Sequence, residues 1–363
     1  MPSGATPAAS TERPRHVSSR TVFRALGITA AASLLWLSLR QVEMHRVATL
    51  LGGLGPFSAL LLVPSVVSLG LETFAWKKAF LLVGSRPTFF GLIRVRVASE
   101  SLGVTLPLGA LWADAVKPRL LSRGCNTPVS VNLVGIAARK YLLVLSQAAY
   151  LVLGFALGRA LLGAAFERAL GARSLAALAL GGAVGLALLA EGMALSLRGG
   201  ATFRAILRRA ALFPSARLRK RLDRWQHEMH RTDQTAVRFF GASPWVRGAL
   251  AVPCLAGWLF EATETWTMLH VLGSSLSWGD AVAVEAVVVF ARNALVILPG
   301  GLGAQELGYA TLLGAAGVDV SISAALMVLK RLREACWATL GGVLLAAGAA
   351  AREKPARAVA VSY

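Results

Sequence analysis

The sequence predicts an all-α polytopic membrane protein of two inverted repeats, each with a broken or re-entrant helical hairpin. Hydrophobic residues make up 56% of the 363 residues and charged residues 15%, a composition typical of membrane proteins. Most of the long apolar blocks approach the roughly 20 residues that cross a bilayer. Weak identity at one constant offset of 192 residues indicates an internal duplication.

The apolar blocks give the predicted helices in chain order, because backbone amides inside lipid must be bonded within their own segment. They lie at about 22–39, 56–76, 141–157 (in an element from about 127 to 158), 174–197, 249–271, 278–298 and 321–350. Clusters of Lys and Arg between the blocks place both termini in the cytoplasm. We therefore predict a disordered cytoplasmic N-terminus (1–21), repeat 1 (22–158), repeat 2 (174–350) and a cytoplasmic tail (351–363).

Two proline segments mark the centres of the repeats. Residues 298–306 read Leu-Pro-Gly-Gly-Leu-Gly-Ala-Gln-Glu, and Pro107 matches Pro299 at the common offset (299 − 107 = 192). Such a segment ends one membrane helix and starts another. Because Lys and Arg flank residues 86–123 on both sides, we favour a re-entrant pair of half-helices meeting near Pro107 over two full crossings.

The same offset relates charged residues in the two repeats. Asp114 matches Glu306 and Arg139 matches Arg331. By the charge pattern the helix with Glu72 runs inward, whereas its counterpart in repeat 2 runs outward. Inverted repeats with broken helices are the architecture of many secondary transporters.

Residues 198–247 form a basic insertion inside repeat 2, with 12 Lys and Arg against three acidic residues. Within it, apolar residues recur at helical spacing, at Leu218, Leu222, Trp225 and Met229. Such an amphipathic helix binds anionic lipid headgroups, although a solvated linker helix is an equal alternative. The net charge of +20 therefore indicates a membrane partner rather than nucleic acid.

Charged residues beside apolar segments supply the candidate site, since an intramembrane charge costs about 2.5 kcal/mol or more unless it is paired. One interpretation is a positively biased substrate site between the hairpins, built on Glu306, Arg331, Asp114 and Arg139. Backbone amides at three glycines would add donors for a phosphate at a helix N-terminus, namely Gly300, Gly301 and Gly303. In the alternative, Glu306 caps its own half-helix and pairs with Arg331, and Asp114 does the same with Arg139.

Other intramembrane charges extend this hypothesis. Glu100 and Arg292 occupy equivalent positions (292 − 100 = 192) with opposite charge and could pair at the repeat interface. Four further carboxylates could relay protons or only accept hydrogen bonds, at Glu72, Glu261, Glu264 and Glu285.

Other chemistry has no support in the sequence. The His-Glu-Met-His run at 227–230 lacks the spacing of a zinc protease. Gly301 and Gly303 follow a membrane helix and not a dinucleotide-binding strand. Gly181 and Gly185 indicate a helix-packing face. The three cysteines share no ligand spacing, so we expect no cofactor and no metal site.

The chain resembles the flippase-like membrane family named after the transmembrane region of lysylphosphatidylglycerol synthase. The residues that carry the resemblance are 106–117, 298–306, 317–318 and 330–331, and the similarity extends over about 22–348. It implies a protein that moves a modified phospholipid, or a hopanoid or polyprenyl-linked lipid, between leaflets. Because no large soluble aminoacyl-transfer domain follows, only the flippase part is expected to carry over.

The sequence thus predicts a transporter-like protein of the bacterial inner membrane whose substrate is an amphiphilic lipid, anionic or of polyprenyl or hopanoid type. An intramembrane lipid-modifying transferase and a non-catalytic accessory subunit are the alternatives. Self-association and binding of a pathway enzyme are left open.

Overall fold

The computed structural model describes residues 43–105, 109–163, 172–210, 216–294 and 303–353, which are helical and contain no strand. The predicted first helix at 22–39 and both proline dipeptides, at 106–107 and 298–299, lie outside these ranges. In order, the helices are α1 (Met44–Gly52), α2 (Val63–Leu82), α3 (Phe89–Thr105), α4 (Gly109–Gly124), α5 (Val129–Leu157), α6 (Ala172–Arg198), α7 (Thr202–Ala210), α8 (Ala216–Phe240), α9 (Pro244–Val271), α10 (Trp278–Ala294), α11 (Ala304–Ala315) and α12 (Val320–Glu353).

The described residues confirm the predicted all-helical class. Three described segments are long and apolar enough to cross a membrane by length and composition, at 59–82, 129–157 and 180–198. Helices α9 and α12 also have the length to cross a membrane, with 28 and 34 residues, but each carries several charged residues. The all-α membrane class is therefore the class that the structure supports.

Two helical hairpins stand where the proline segments predicted them. Helix α3 packs against α4 and α10 packs against α11. At about 1.5 Å per residue, the 17-residue α3 and α10 are shorter than the hydrocarbon core is thick. The close packing of the first hairpin requires glycine, because a Cβ at Gly109 would collide with the carbonyl of Gly103.

Packing between the first and second parts of the chain holds these hairpins in place. Helix α2 packs along α9, α3 along α12, and α5 along α10. Gly341 allows the approach of α12 to α3, since a side chain there would collide with the Val97 carbonyl. Gly154 and Gly158 do the same for α5, where added Cβ atoms would collide with Ala286 and Ala283. These contacts enclose a polar interior between the helices.

The second half of α8 is part of this folded body and is not a free surface helix. Phe239 and Phe240 are buried against Tyr141 of α5, with ring centroids 6.1 and 5.8 Å from it. Asp233 accepts hydrogen bonds from the backbone N–H groups of Phe203 and Arg204 at the start of α7. Met229 of the predicted apolar stripe is buried, and the side chains of its other members lie outside the described ones.

Candidate functional site

A cavity of about 670 Å³ lies between helices from both parts of the chain. This volume is in the range of small-molecule binding sites. Four of the predicted site residues line it, and they come from α3, α4, α5 and α10: Glu100, Asp114, Arg139 and Arg292. The cavity therefore brings together residues up to 192 positions apart (292 − 100 = 192).

One wall of the cavity carries a network of four charged side chains. Glu72 accepts from Nη2 of Arg96 at 2.8 Å and from Nη2 of Arg139 at 3.3 Å. Glu100 contacts the same two arginines, at 3.0 and 3.5 Å. Arg139 also lies over the Trp76 ring, 5.6 Å from its centroid. Because Glu72 and both arginines are buried, the network joins α2, α3 and α5 by charge-assisted bonds.

Asp114 pairs with lysines, so the predicted Asp114–Arg139 pair is wrong. Its oxygens lie 2.7 Å from Lys117 Nζ and 3.0 Å from Lys140 Nζ. Successive residues of a helix point about 100° apart, because 3.6 residues make one turn. Lys140 therefore faces α4, whereas Arg139 faces the carboxylates of α2 and α3.

Glu100 and Arg292 line the same cavity but do not form the predicted pair. Glu100 is bound by the two arginines of its own network, whereas Arg292 donates to Gln305 at 3.3 Å and lies 4.0 Å from Glu334. Among the cavity arginines that the structure describes, Arg292 is the one whose nearest carboxylate is farthest away. Arg292 is thus a cation that a ligand could engage with little loss.

Glu306 and Arg331 form the predicted pair, but neither lines the cavity. Arg331 Nε donates to Glu306 at 2.6 Å, and Arg331 Nη1 donates to Glu334 at 2.5 Å. Glu306 also accepts from the N–H of Gly303 at 2.7 Å, which caps α11. The Gly303 amide is therefore already bonded to a carboxylate. Gly300 and Gly301 lie outside the described residues.

A second buried network, also outside the predicted pairs, surrounds Lys330. Its Nζ lies 3.1 Å from Glu264 and 3.5 Å from Glu285. Glu285 accepts from the hydroxyls of Thr265 and Tyr309, both at 2.6 Å. Glu264 also binds Arg333, which reaches the cavity wall. This network fastens α9 to α10, α11 and α12.

Apolar side chains also line the cavity, among them Trp258, Phe290 and Leu186. Leu189 of α6 lines it as well and is 63% exposed. The cavity thus combines ionic groups with apolar ones.

The family model described as the lysylphosphatidylglycerol synthase TM region matches residues 24–342. The chain belongs to this family. None of the curated proteins compared with the chain matches it. Membership in the lysylphosphatidylglycerol synthase TM region family indicates a membrane protein with a lipid-related role, and the match covers every described residue that lines the cavity.

The charged and polar side chains of the cavity are the groups available for interaction with a ligand. In the described part of the chain, no three His, Cys, Asp or Glu side chains are grouped as metal ligands, and Cys125, Cys254 and Cys336 are free thiols. The cavity offers guanidinium, ammonium, amide and carboxylate groups. Such groups form ion pairs and hydrogen bonds.

Two sets of contacts at the site were not predicted from the sequence. The cation partners of Glu72 come from α3 and α5. Glu72 and Glu264 are separated by the repeat offset (264 − 72 = 192), and this equivalence is a signal in the sequence for both carboxylates. Gln147 and Asn293 line the cavity and share a hydrogen bond of 3.2 Å. No pattern in the sequence singled out these two amides.

Proposed function

We propose that this chain is a flippase-like transporter that moves an amphiphilic lipid between the leaflets of the bacterial inner membrane. The observation that carries the proposal is the cavity, whose lining combines ionic side chains with apolar ones that include the exposed Leu189 of α6. A lipid has the same two parts, so its headgroup would occupy the ionic wall while its chains stay in the bilayer.

The charges of the cavity favour an anionic headgroup. Among the described lining residues there are six cations, Arg96, Lys117, Arg139, Lys140, Arg292 and Arg333, and five carboxylates, Glu72, Glu100, Asp114, Glu261 and Glu334. The excess is one positive charge, and Arg292 has the weakest protein partners. A phosphate beside Arg292 would gain a charge-assisted bond without breaking a strong ion pair. Anionic phospholipids and polyprenyl or hopanoid lipids with an anionic headgroup fit this chemistry.

Inverted repeats are part of the proposal, and the helix packing supports them. Moved by 192 residues, α3, α4 and α5 fall at 281–297, 301–316 and 321–349, next to α10, α11 and α12. Exchange of the two sets turns the α3–α12 contact into the α10–α5 contact and leaves α2–α9 as one symmetric pair. Repeats of this kind place a substrate at their interface and expose it to each side in turn.

Reconstitution into proteoliposomes tests the proposal. Vesicles of phosphatidylglycerol and phosphatidylethanolamine would carry a fluorescent phosphatidylglycerol, and a membrane-impermeant reductant would report how fast the label leaves the inner leaflet. We expect wild-type protein to increase this rate over empty vesicles. Arg292→Gln should lower it at least several-fold, because the least engaged cation of the cavity is lost.

The matched control is Arg46→Gln, which removes an exposed cation that contacts Asp319 outside the cavity and should leave the rate unchanged. Equal rates in wild-type and empty vesicles, for this probe and for a polyprenyl phosphate probe, would refute transport. Mass spectrometry of the vesicle lipids before and after the assay separates transport from modification, because a transferase would create a new lipid mass.

A further inference from the structure

Among the described residues of the cavity, one carboxylate has no Lys or Arg nitrogen within 4.0 Å. Among the described lining residues, Glu72, Glu100, Asp114 and Glu334 each lie within 4.0 Å of a Lys or Arg nitrogen. Glu261 of α9 has instead the hydroxyl of Ser68, which donates to its Oε1 at 3.4 Å. An unpaired carboxylate in a membrane interior is costly in its charged form.

The charged groups around Glu261 are engaged elsewhere. Those that face it or act on it electrostatically come from each helix packed on α9, namely Glu72 on α2, Tyr150 on α5, Arg292 on α10, and Lys330 and Arg333 on α12, together with Arg96 on α3. Arg96 binds Glu72 and Glu100, and Lys330 and Arg333 bind Glu264. Arg292 faces Gln305 and Glu334. Each of these described cations therefore lies closer to another partner than to Glu261.

The position of Glu261 is fixed by a close helix contact. Gly257, one turn earlier on α9, lies so near α2 that an added Cβ would be 3.2 Å from Ser68 Oγ and 3.3 Å from Glu72 Cγ. This contact holds the Glu261 side chain between α2 and the open cavity. Its carboxyl thus lies at the cavity, within reach of Ser68.

We propose that Glu261 is the proton-binding group of the cavity and couples lipid movement to a proton gradient. This inference rests on the proposed function. The proton moves from water in the cavity to a carboxylate oxygen of Glu261 and is returned to water on the other side, so no other reactant is needed. With the proton bound, Glu261 is neutral and still accepts the bond from Ser68.

The sign of the coupling follows from the charges. An anionic headgroup beside Arg292 and a charged Glu261 would repel each other in one cavity of low dielectric constant. The headgroup therefore favours protonated Glu261, and by linkage the bound proton favours the headgroup to the same extent. Proton and lipid are expected to move in the same direction.

The test uses the proteoliposomes described above, with a pH gradient imposed across the membrane. We expect acidification of the side from which fluorescent phosphatidylglycerol departs to speed its movement by about fivefold or more in the wild type. Glu261→Gln keeps the shape and the acceptor for Ser68 but cannot take up a proton. Its transport should be the same with and without the gradient.

Glu191→Gln is the matched control. Glu191 is also a carboxylate of a membrane helix, but it pairs with Arg247 and does not line the cavity. This variant should retain the full response to the gradient. A wild-type transport rate that is independent of the gradient would refute the coupling, and so would a response of Glu261→Gln to the gradient. In either case the transport function stands. If the wild type moves no lipid, the proposed function fails as well.

A second measurement covers poor folding of Glu261→Gln. Infrared difference spectra of purified protein between acidic and alkaline buffer report the carbonyl stretch of protonated carboxylic acids. Glu261→Asp keeps an acid at this place, so it should shift one such band relative to the wild type, and Glu191→Gln should leave that band in place. A spectrum unchanged by Glu261→Asp would refute proton binding at Glu261.

Discussion

Arg331 on α12 donates from Nε to Oε1 of Glu306 at 2.6 Å, across from the N-terminus of α11. The other oxygen of Glu306 accepts from the N–H of Gly303 at 2.7 Å. One carboxylate therefore caps α11 and joins it to α12. Because Arg331 also binds Glu334 on the cavity wall, the pair supports the cavity without lining it.

Loss of this carboxylate should destabilise the protein. We expect Glu306→Ala to lower the free energy of unfolding by about 3 kcal/mol, since it breaks a buried ion pair and removes a helix cap. Thermal unfolding in detergent would measure the change. Arg46→Ala is the control, because its pair with Asp319 is exposed and contributes about 1 kcal/mol or less. Equal effects of the two variants would contradict the proposed role of Glu306.

The Lys330 network should show strong coupling between its members. Lys330→Met leaves Glu285 without its cation, and Glu285→Gln removes the charge that Lys330 faces. We expect each single change to destabilise by about 3 kcal/mol or more. The double variant should lose less than the sum, with an interaction free energy of about 1–3 kcal/mol in a double-mutant cycle. Additive losses would mean that the two charges act independently.

The ring of Phe80 leaves no room for a side chain at position 135. An added Cβ at Gly135 would collide with that ring, and the Gly135 carbonyl accepts from the Trp76 indole at 2.8 Å. Gly135→Ala should therefore destabilise by about 1–3 kcal/mol, and Phe80→Leu in the same chain should recover part of the loss. Gly185→Ala is the control, because nothing lies within 4 Å of its Cβ and alanine favours a helix.

Thiol labelling tests the predicted orientation in the membrane. Cys125 follows α4 and should face the cytoplasm, whereas a cysteine introduced as Ser275→Cys between α9 and α10 should face outward. An impermeant maleimide added to intact spheroplasts should label only the second, in chains whose other cysteines are replaced. Labelling of Cys125 from outside would show that the chain has the opposite orientation in the membrane.

The rate at which the maleimide labels Cys125 should depend on pH. Partial burial raises the pKa of the Cys125 thiol above its ordinary value, and the thiolate is the reactive form. After lysis, the labelling of Cys125 should therefore speed up as the pH rises beyond the range where an exposed thiol already reacts fully. A rate independent of pH would show that access limits the reaction.

Helix positions were largely predictable from the sequence because apolar blocks of membrane length leave few alternatives. The predicted block at 174–197 became Ala172–Arg198, and the block at 321–350 became Val320–Glu353. The hairpins followed from proline and glycine, which end helices for local reasons. These features depend on a few neighbouring residues, so a single sequence reveals them.

The partners of the charged residues were less predictable. The offset of 192 matched Arg139 with Arg331, yet the first binds Glu72 and Glu100 and the second binds Glu306 and Glu334. Rotation of a helix by one residue changes which neighbour a side chain meets, and sequence spacing between helices carries no such information.

The glycines and Glu261 show the same limit. Gly181 and Gly185 have the spacing of a packing face, but added Cβ atoms there would meet nothing within 4 Å. Glu261 was one of four similar carboxylates in the sequence, and only the positions of the surrounding cations set it apart. Both distinctions depend on which helices become neighbours.

The contact between α3 and α12 can form only late in the synthesis of the chain. Val97 and Gly341 meet in the folded protein but are 244 residues apart in the chain (341 − 97 = 244). At about 5–20 residues per second, a ribosome needs about 10–50 s to reach the second residue after the first. During this interval α3 sits in the membrane without α12, and the bonds of Arg96 and Arg139 to Glu72 are ones that the newly inserted helices can form by themselves. The early ion cluster would keep these charges away from lipid until the last helix arrives.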